Sequence, residues 1–158
     1  MMFWNYIKYA DSQNIFYERK GEYMVGIVII SHSIFAEALE KASEMITGKH
    51  DYIRTIGLEE GCEPGHFGEM ITTEVNGLIE KGYQEVLILS DLFGGTPCNQ
   101  AVQKVGMRGI PVVSGVNLPM TLQALMSNND EITAKELAEQ IIQVGQESIF
   151  NVIDRLMQ

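Results

Sequence analysis

Residues 25–30 read VGIVII and lie in the longest uninterrupted apolar run of the chain. A strand with one face in water alternates apolar and polar residues, so a continuous run predicts a strand buried on both faces. Such burial requires helices above and below the sheet, which is the arrangement of parallel α/β domains. The run is far too short to cross a bilayer as a helix.

The segments that follow alternate between helical and extended patterns. Predicted helices cover residues 35–46, 67–79, 119–126 and 133–142, with another beginning at Thr96, and predicted strands cover residues 52–58, 86–89 and 111–116. Residues 148–153 either continue the last helix or form an extra C-terminal edge strand. The pattern predicts one doubly wound, mostly parallel α/β domain with flavodoxin-like strand order 2-1-3-4 and helices on both faces.

Local signals mark the helix starts and faces. We predict Thr96 as an N-cap and Pro97 as the first helical residue, where the missing N–H of proline is harmless. Thr133 and Glu136 form a capping box that opens the last helix. The apolar face of the first helix is predicted to consist of Phe35, Ala38, Leu39, Ala42, Met45 and Ile46.

The first 23 residues differ from the rest of the chain. They hold seven of the thirteen aromatic residues, without clear strand or helix periodicity. We therefore treat residues 1–23 as an N-terminal extension and residues 24–158 as a single domain. Two interpretations of the extension stay open: translation from a misassigned upstream start, or a docking arm whose aromatic side chains cover an apolar patch.

Charge and cysteine content limit the classes of partner. A formal net charge of −10 repels nucleic acid and anionic membranes at long range. Cys62 and Cys98 lack metal-ligand spacing and are expected as free thiols in a reducing cytoplasm, and the N-terminus lacks the pattern of a signal peptide. We expect a cytoplasmic protein with no metal and no cofactor.

Two polar residues follow buried strands at the edge where α/β active sites lie. His32 follows the first strand and Asp91 the third, and in the predicted order those strands are neighbours. A carboxylate that bonds one ring nitrogen fixes the tautomer of a histidine and stabilises the charge that develops when the other nitrogen attacks. His50 and His66 have no comparable setting and are expected at the surface.

The loop after Asp91 is suited to binding phosphate. Gly94 and Gly95 allow close approach of the backbone, and the following helix offers its N-terminal N–H groups and the positive end of its dipole. Thr96 adds a hydroxyl. We take Ser33, Gly94 and Gly95 as candidate phosphate-binding residues, and His32, Asp91 and Thr96 as candidate catalytic residues.

Three segments resemble the signatures of the mannose-type enzyme IIA of the bacterial sugar phosphotransferase system, the mannose/fructose/sorbose family. They are ISHS at residues 30–33, DLFGGTPCN at residues 91–99 and GVNLPM at residues 115–120. The resemblance covers residues 25–150, and three motifs in this order make it specific. Ser33 is a departure, because many members have glycine there.

This resemblance implies a phosphotransferase with a phosphohistidine intermediate. His32 would accept a phosphoryl group from the histidine-containing phosphocarrier protein and pass it to a histidine of a IIB protein, encoded separately. Asp91 would orient His32, and Thr96 would contact the phosphate. Family members are typically homodimers that exchange a C-terminal strand, and residues 148–153 are the candidate for that strand here. The protein would interact with the membrane permease only indirectly.

Other functions remain as alternatives. Ser-His-Ser is also similar to the phosphocarrier subunit of dihydroxyacetone kinase, although that branch lacks the Gly-Gly-Thr-Pro segment. A nucleotide- or flavin-binding module would fit the fold, but the chain has no Walker motif, no Gly-x-Gly-x-x-Gly after the first strand, and no lysine or arginine in residues 82–103. A pure interaction protein is a third alternative, and it would acquire no acid-labile phosphate.

Overall fold

The computed structural model describes residues 6–11, 14–19, 24–129 and 131–157. Its strands are β1 (Tyr6–Asp11), β2 (Asn14–Arg19), β3 (Gly26–His32), β4 (Ile53–Leu58), β5 (Val86–Ser90) and β6 (Val112–Ser114). Its helices are α1 (Phe35–Thr47), α2 (Pro64–Glu80), α3 (Thr96–Lys104), α4 (Leu118–Met126), α5 (Ala134–Glu147) and α6 (Val152–Leu156), with a 3₁₀ turn at Gly106–Arg108.

Strands β3 to β6 form a parallel sheet in the order β4-β3-β5-β6. If β3 is counted as the first strand of the sheet and β4, β5 and β6 as the second, third and fourth, this is the predicted order 2-1-3-4. Residues 25–31 are buried, and alternate side chains of β3 point to opposite faces. Ile27 and Ile29 pack with α1, α4 and α5, whereas Val28 and Ile30 pack with α2 and α3. The α/β fold with helices on both faces is thus confirmed.

Within the N-terminal extension, β1 and β2 pair antiparallel, from Tyr6 opposite Arg19 to Asp11 opposite Asn14. The sequence showed no clear strand periodicity here. A ladder of this kind is made by main-chain groups, which every residue except proline supplies in full, so it needs no apolar alternation. The proposed covering of an apolar patch is not tested, because the structure describes only the main chain of these two strands and no side chain of residues 1–23.

Helix α1 corrects one expectation about burial. Its buried residues are Ala36, Leu39 and Ser43, whereas Phe35, Met45 and Ile46 are exposed. Spacing identifies an apolar stripe but not the direction in which the helix is rotated against the sheet. In the structure, part of the predicted apolar face lies in solvent.

The end of the domain also differs from the expectation. The capping box of α5 is confirmed, because the Thr133 hydroxyl accepts from the N–H of Glu136 and the Glu136 carboxylate accepts from the N–H of Thr133. Residues 148–153 form neither an edge strand nor a continuation of α5. The chain leaves α5 after Glu147, and the side chain of Asn151 then caps α6.

In the part of the chain that the structure describes, every helix is too short or too polar to span a membrane.

Candidate functional site

His32 and Asp91 lie side by side where β3 and β5 end. The Asp91 Oδ2 atom accepts hydrogen bonds from the main-chain N–H of His32 and from its ring Nδ1, each at 2.8 Å. The Asp91 side chain is 14% exposed and that of His32 48% exposed. The carboxylate is thus shielded, whereas about half of the histidine side chain stays open to a reaction partner.

The second carboxylate oxygen of Asp91 is also used. Oδ1 accepts from the N–H of Leu92 at 2.7 Å and lies 3.5 Å from the Ser90 hydroxyl. Burial by itself raises the pKa of Asp91, but the hydrogen bonds from the His32 main chain and ring, the His32 charge and the Leu92 N–H outweigh it. The net effect holds the pKa of Asp91 below its ordinary value.

This arrangement selects a tautomer of His32. An ionised carboxylate can only accept hydrogen bonds, so Nδ1 must carry the proton and donate it to Asp91. In the neutral imidazole the other nitrogen, Nε2, then keeps its lone pair. The site can therefore present Nε2 as a nucleophile while Asp91 holds the ring.

The loop from Gly94 to Thr96 lies against the same ring. Gly94 has φ +79°, a region that side chains disfavour, whereas Gly95 has an ordinary φ of −70°. Gly95 is needed for space: a Cβ there would lie 2.8 Å from the His32 Cε1 and 3.5 Å from Nε2. The Asn99 side chain closes the loop by donating to the carbonyl of Gly94 at 2.9 Å.

The predicted capping role of Thr96 is wrong. Gly95 occupies the N-cap position of α3 without a side-chain cap, so Thr96 is the first helical residue and Pro97 the second. Because the Thr96 hydroxyl is not the cap, it is available for another partner. The main-chain N–H groups of Thr96 and Cys98 belong to the first helical turn, where intrahelical acceptors are lacking.

Ser33 adopts φ +50° and is exposed. Glycine is favoured in this conformation because it has no Cβ, so serine is held here in a conformation that side chains disfavour. Its N–H donates to the carbonyl of Leu58 at 2.8 Å.

Sequence reasoning missed two residues that shape this site. Ser31 is fully buried, and its hydroxyl accepts from the N–H of Ala36 at 2.7 Å and donates to the carbonyl of His32 at 3.1 Å. Gly57 in β4 lies against the carbonyl of Ser33. A glycine inside a strand often marks close approach of another backbone, which was the signal available for Gly57.

Large apolar side chains are exposed on the two segments that carry His32 and Asp91. Ile34 and Phe35 follow the histidine, and Leu92 and Phe93 follow the aspartate, with Phe93 85% exposed. We call these four residues the apolar rim. His66 is exposed and pairs with Glu69 of its own helix, and His50 lies near Thr47, so neither histidine resembles His32 in its setting.

Comparison with known proteins identifies the family of this chain. The family model described as "PTS system fructose IIA component" matches residues 26–142. The fructose-specific EIIA component of the phosphotransferase system (PTS) from Bacillus subtilis is 32% identical over 126 residues, which is 79% of this chain and 84% of that protein. The PTS mannose-specific EIIAB component of Escherichia coli is 31% identical over 128 residues, and the match covers 79% of this chain but 38% of that longer protein.

A solved structure shows the same fold. The PTS IIA protein associated with the fucose utilization operon from Streptococcus pneumoniae superposes with a TM-score of 0.75 and 31% sequence identity, over 85% of this chain and 97% of that one. The family match covers most of the domain and includes the segments of His32, Asp91 and Thr96. The chain therefore belongs to the mannose/fructose/sorbose family of phosphotransferase-system IIA components.

Proposed function

We propose that this protein carries a phosphoryl group on Nε2 of His32, taking it from the histidine-containing phosphocarrier protein and giving it to a histidine of a IIB protein. The observation that carries the proposal is the 2.8 Å contact between the His32 Nδ1 and the Asp91 Oδ2, on a histidine side chain that is half exposed. Membership of the IIA family supports the same role.

The proposed reaction is an exchange of phosphorus–nitrogen bonds. The Nε2 lone pair of His32 attacks the phosphorus of the donor's phosphohistidine, a new P–N bond forms, and the old P–N bond breaks with its electrons returning to the donor imidazole. The phosphorylated ring of His32 keeps its proton on Nδ1, which donates a hydrogen bond to Asp91, and the negative charge of Asp91 stabilises the ring. Transfer to the IIB histidine repeats the exchange with His32 as the leaving group.

The transferring phosphoryl group needs hydrogen-bond donors. We assign this role to the Thr96 hydroxyl and to the main-chain N–H groups at the start of α3, with Ser33, Gly94 and Gly95 completing the pocket. A helix N-terminus binds phosphate through such groups and through its dipole, without a basic side chain. Gly95 supports this placement because it lies directly beside the His32 ring.

Transfer between two protein histidines requires the proteins to touch at the reacting atoms. The apolar rim supplies such a contact surface, since Ile34 and Leu92 are 71% and 58% exposed, respectively, and each lies within two residues of a site residue. Exposed apolar groups around a polar centre are typical of protein interaction sites. We propose that the phosphocarrier and the IIB protein use this rim in turn, in the cytoplasm.

We also propose that the protein is a homodimer. The C-terminal segment exposes Ile149, Phe150, Val152, Ile153, Leu156 and Met157, and such a cluster favours burial against another chain. Leu156→Asp together with Ile153→Asp should convert a dimer to a monomer in sedimentation equilibrium. A wild-type protein that is monomeric at all concentrations contradicts this part of the proposal.

Labelling tests the central claim. Incubation with phosphoenolpyruvate, enzyme I and the phosphocarrier protein should add one phosphate that is stable to base and labile to acid, as expected for a phosphoramidate. His32→Ala should abolish labelling, and the matched controls His50→Ala and His66→Ala should leave it intact. Labelling that survives His32→Ala would refute the assignment.

A further inference from the structure

The turn that follows β3 is held on several sides. Ser33, in its left-handed conformation, donates its N–H to the carbonyl of Leu58 in the neighbouring strand at 2.8 Å. The buried Ser31 hydroxyl joins the N–H of Ala36 to the carbonyl of His32. The residues on both sides of His32 are thereby fixed to β4 and to the start of α1.

Gly57 is the point where β4 meets this turn. A Cβ on Gly57 would lie 2.1 Å from the carbonyl oxygen of Ser33 and 3.1 Å from its carbonyl carbon. Both are main-chain atoms, so they cannot move aside as a flexible side chain does. Even alanine at position 57 therefore requires a shift of the turn or of the strand.

The requirement at Gly57 is for space and not for an unusual conformation, because Gly57 is not among the residues with positive φ. In the sheet it lies opposite Ser31, and Leu58 lies opposite His32. The end of β4 thus contacts the three consecutive residues that present the histidine. A shift of this turn would move His32 relative to Asp91.

We propose that Gly57 is a positioning residue for His32: its missing side chain lets the Ser33 carbonyl rest on β4 and so sets the turn that presents the imidazole to Asp91. The inference rests on the proposed phosphorylation of His32 as far as reaction rate is concerned. A misplacement of roughly 1 Å at a reacting group reduces rates by up to about 10²-fold. The orientation of the ring itself can be measured without any phosphoryl donor.

Gly57→Ala tests the proposal with two readouts. The first is the set of ¹⁵N chemical shifts of the His32 ring, which report how much of the neutral imidazole is protonated at Nδ1. The second is the rate at which phosphoramidate, a small donor, phosphorylates the protein. We expect a folded protein with less of the Nδ1-protonated tautomer and a rate lower by about 10- to 100-fold.

Ser33→Gly provides the decisive partner variant, because glycine gives the turn more conformations in which to avoid a new methyl group. The Ser33 hydroxyl is itself a candidate phosphate ligand, so the Ser33→Gly single variant is the reference. In that background, Gly57→Ala should reduce the rate much less than it does in the wild type. Such coupling is what a double-mutant cycle measures.

Gly26→Ala is the matched control for general loss of stability. Gly26 begins β3 at the end opposite His32, and a Cβ there would lie 3.0 Å from a side-chain carbon of Leu78. This control should lose stability but keep the wild-type tautomer of His32. Comparison of Gly57→Ala with Gly26→Ala separates a change in the orientation of His32 from a general loss of stability of the sheet.

Unchanged ring shifts in Gly57→Ala would overturn the proposal, and so would a rate loss that Gly26→Ala reproduces at equal stability. If Gly57→Ala does not fold, the double variant decides: a folded double variant with the Nδ1-protonated ring supports the proposal, and an unfolded one overturns it. A wild-type protein that no donor phosphorylates would contradict the proposed function, while the tautomer comparison would still test Gly57.

Discussion

A single oxygen of Asp91, Oδ2, accepts hydrogen bonds from both the main-chain N–H and the ring Nδ1 of His32. The same oxygen therefore holds both the main chain at the end of β3 and the orientation of the imidazole ring. Because Oδ1 accepts from the N–H of Leu92, both oxygens of the carboxylate face donors. An amide has one acceptor and one donor, so in place of this carboxylate it would put its NH₂ group against one of these N–H donors.

Asp91→Asn should keep the fold but slow phosphotransfer. Either orientation of the amide places its NH₂ against an N–H group, of His32 or of Leu92, and the first orientation also favours the wrong tautomer. In a serine-protease triad, loss of the correct tautomer lowers the rate by ~10⁴-fold. We expect a smaller loss of transfer rate here, because Nε2 does not have to remove a proton from a hydroxyl group. Stopped-flow transfer measures the rate, with Glu139→Gln on the exposed surface of α5 as the control. If a folded Asp91→Asn protein transferred phosphate at the wild-type rate, the carboxylate would have no role in the reaction.

Asp91 should also make stability depend on pH in acid. A carboxyl whose pKa is lower in the folded state stabilises the fold above its unfolded-state pKa of about 3.9. This contribution is lost as the pH falls through the lower, folded-state pKa. The difference in free energy of unfolding between wild type and Asp91→Asn, measured in urea, should therefore be constant above about pH 5 and shrink below about pH 4. A difference that stays constant in acid contradicts the lowered pKa.

Thr96→Ala should slow phosphotransfer by about 10- to 100-fold, the effect of removing one hydrogen bond to a charged group. Because Gly95 is the N-cap, the substitution should not cause the loss of about 1 kcal/mol that removal of a side-chain cap produces. Thr96→Ser should retain most of the activity. Thr73→Ala, on the exposed surface of α2, is the matched control. If Thr96→Ala lost much stability but transferred phosphate at the wild-type rate, the role of Thr96 would be structural.

Gly94 and Gly95 should respond differently to alanine. At Gly94 the added methyl group meets no atom within 4 Å, but the positive φ should reduce stability by about 1–2 kcal/mol. At Gly95 the backbone suits alanine, but the methyl group would press on the His32 ring. We expect the larger stability loss at Gly94 and the larger loss of phosphorylation by phosphoramidate at Gly95. Urea unfolding and labelling rates compare the two, and the reverse ranking would contradict the geometry.

Removal of residues 1–23 should leave phosphotransfer nearly unchanged. The family match begins at residue 26, and the proposed site residues lie from His32 onward. Circular dichroism and labelling of the truncated protein check this expectation. An unfolded truncated protein would show that the aromatic extension belongs to the folded core.

Much of the fold could be predicted because its signals are local. The apolar run of β3 requires cover on both faces, and the Thr133–Glu136 box needs only residues three apart. Thr96 and Pro97 correctly indicated a helix start, but the cap lies one residue earlier, at Gly95. Which residue becomes the cap depends on how the preceding loop turns, and propensity does not encode that.

The sequence by itself determined the type and order of the elements from β3 to α5 and placed His32 and Asp91 at strand ends, because burial patterns and helix starts depend on neighbouring residues. The tertiary structure decided the rest: the shared oxygen between residues 59 positions apart, the exposed side of α1, and the contact of Gly57 with Ser33. Each of these depends on distances of a few ångströms between segments remote in the chain. Such distances follow from how the strands and helices pack, and no pattern of residue types along the chain specifies them.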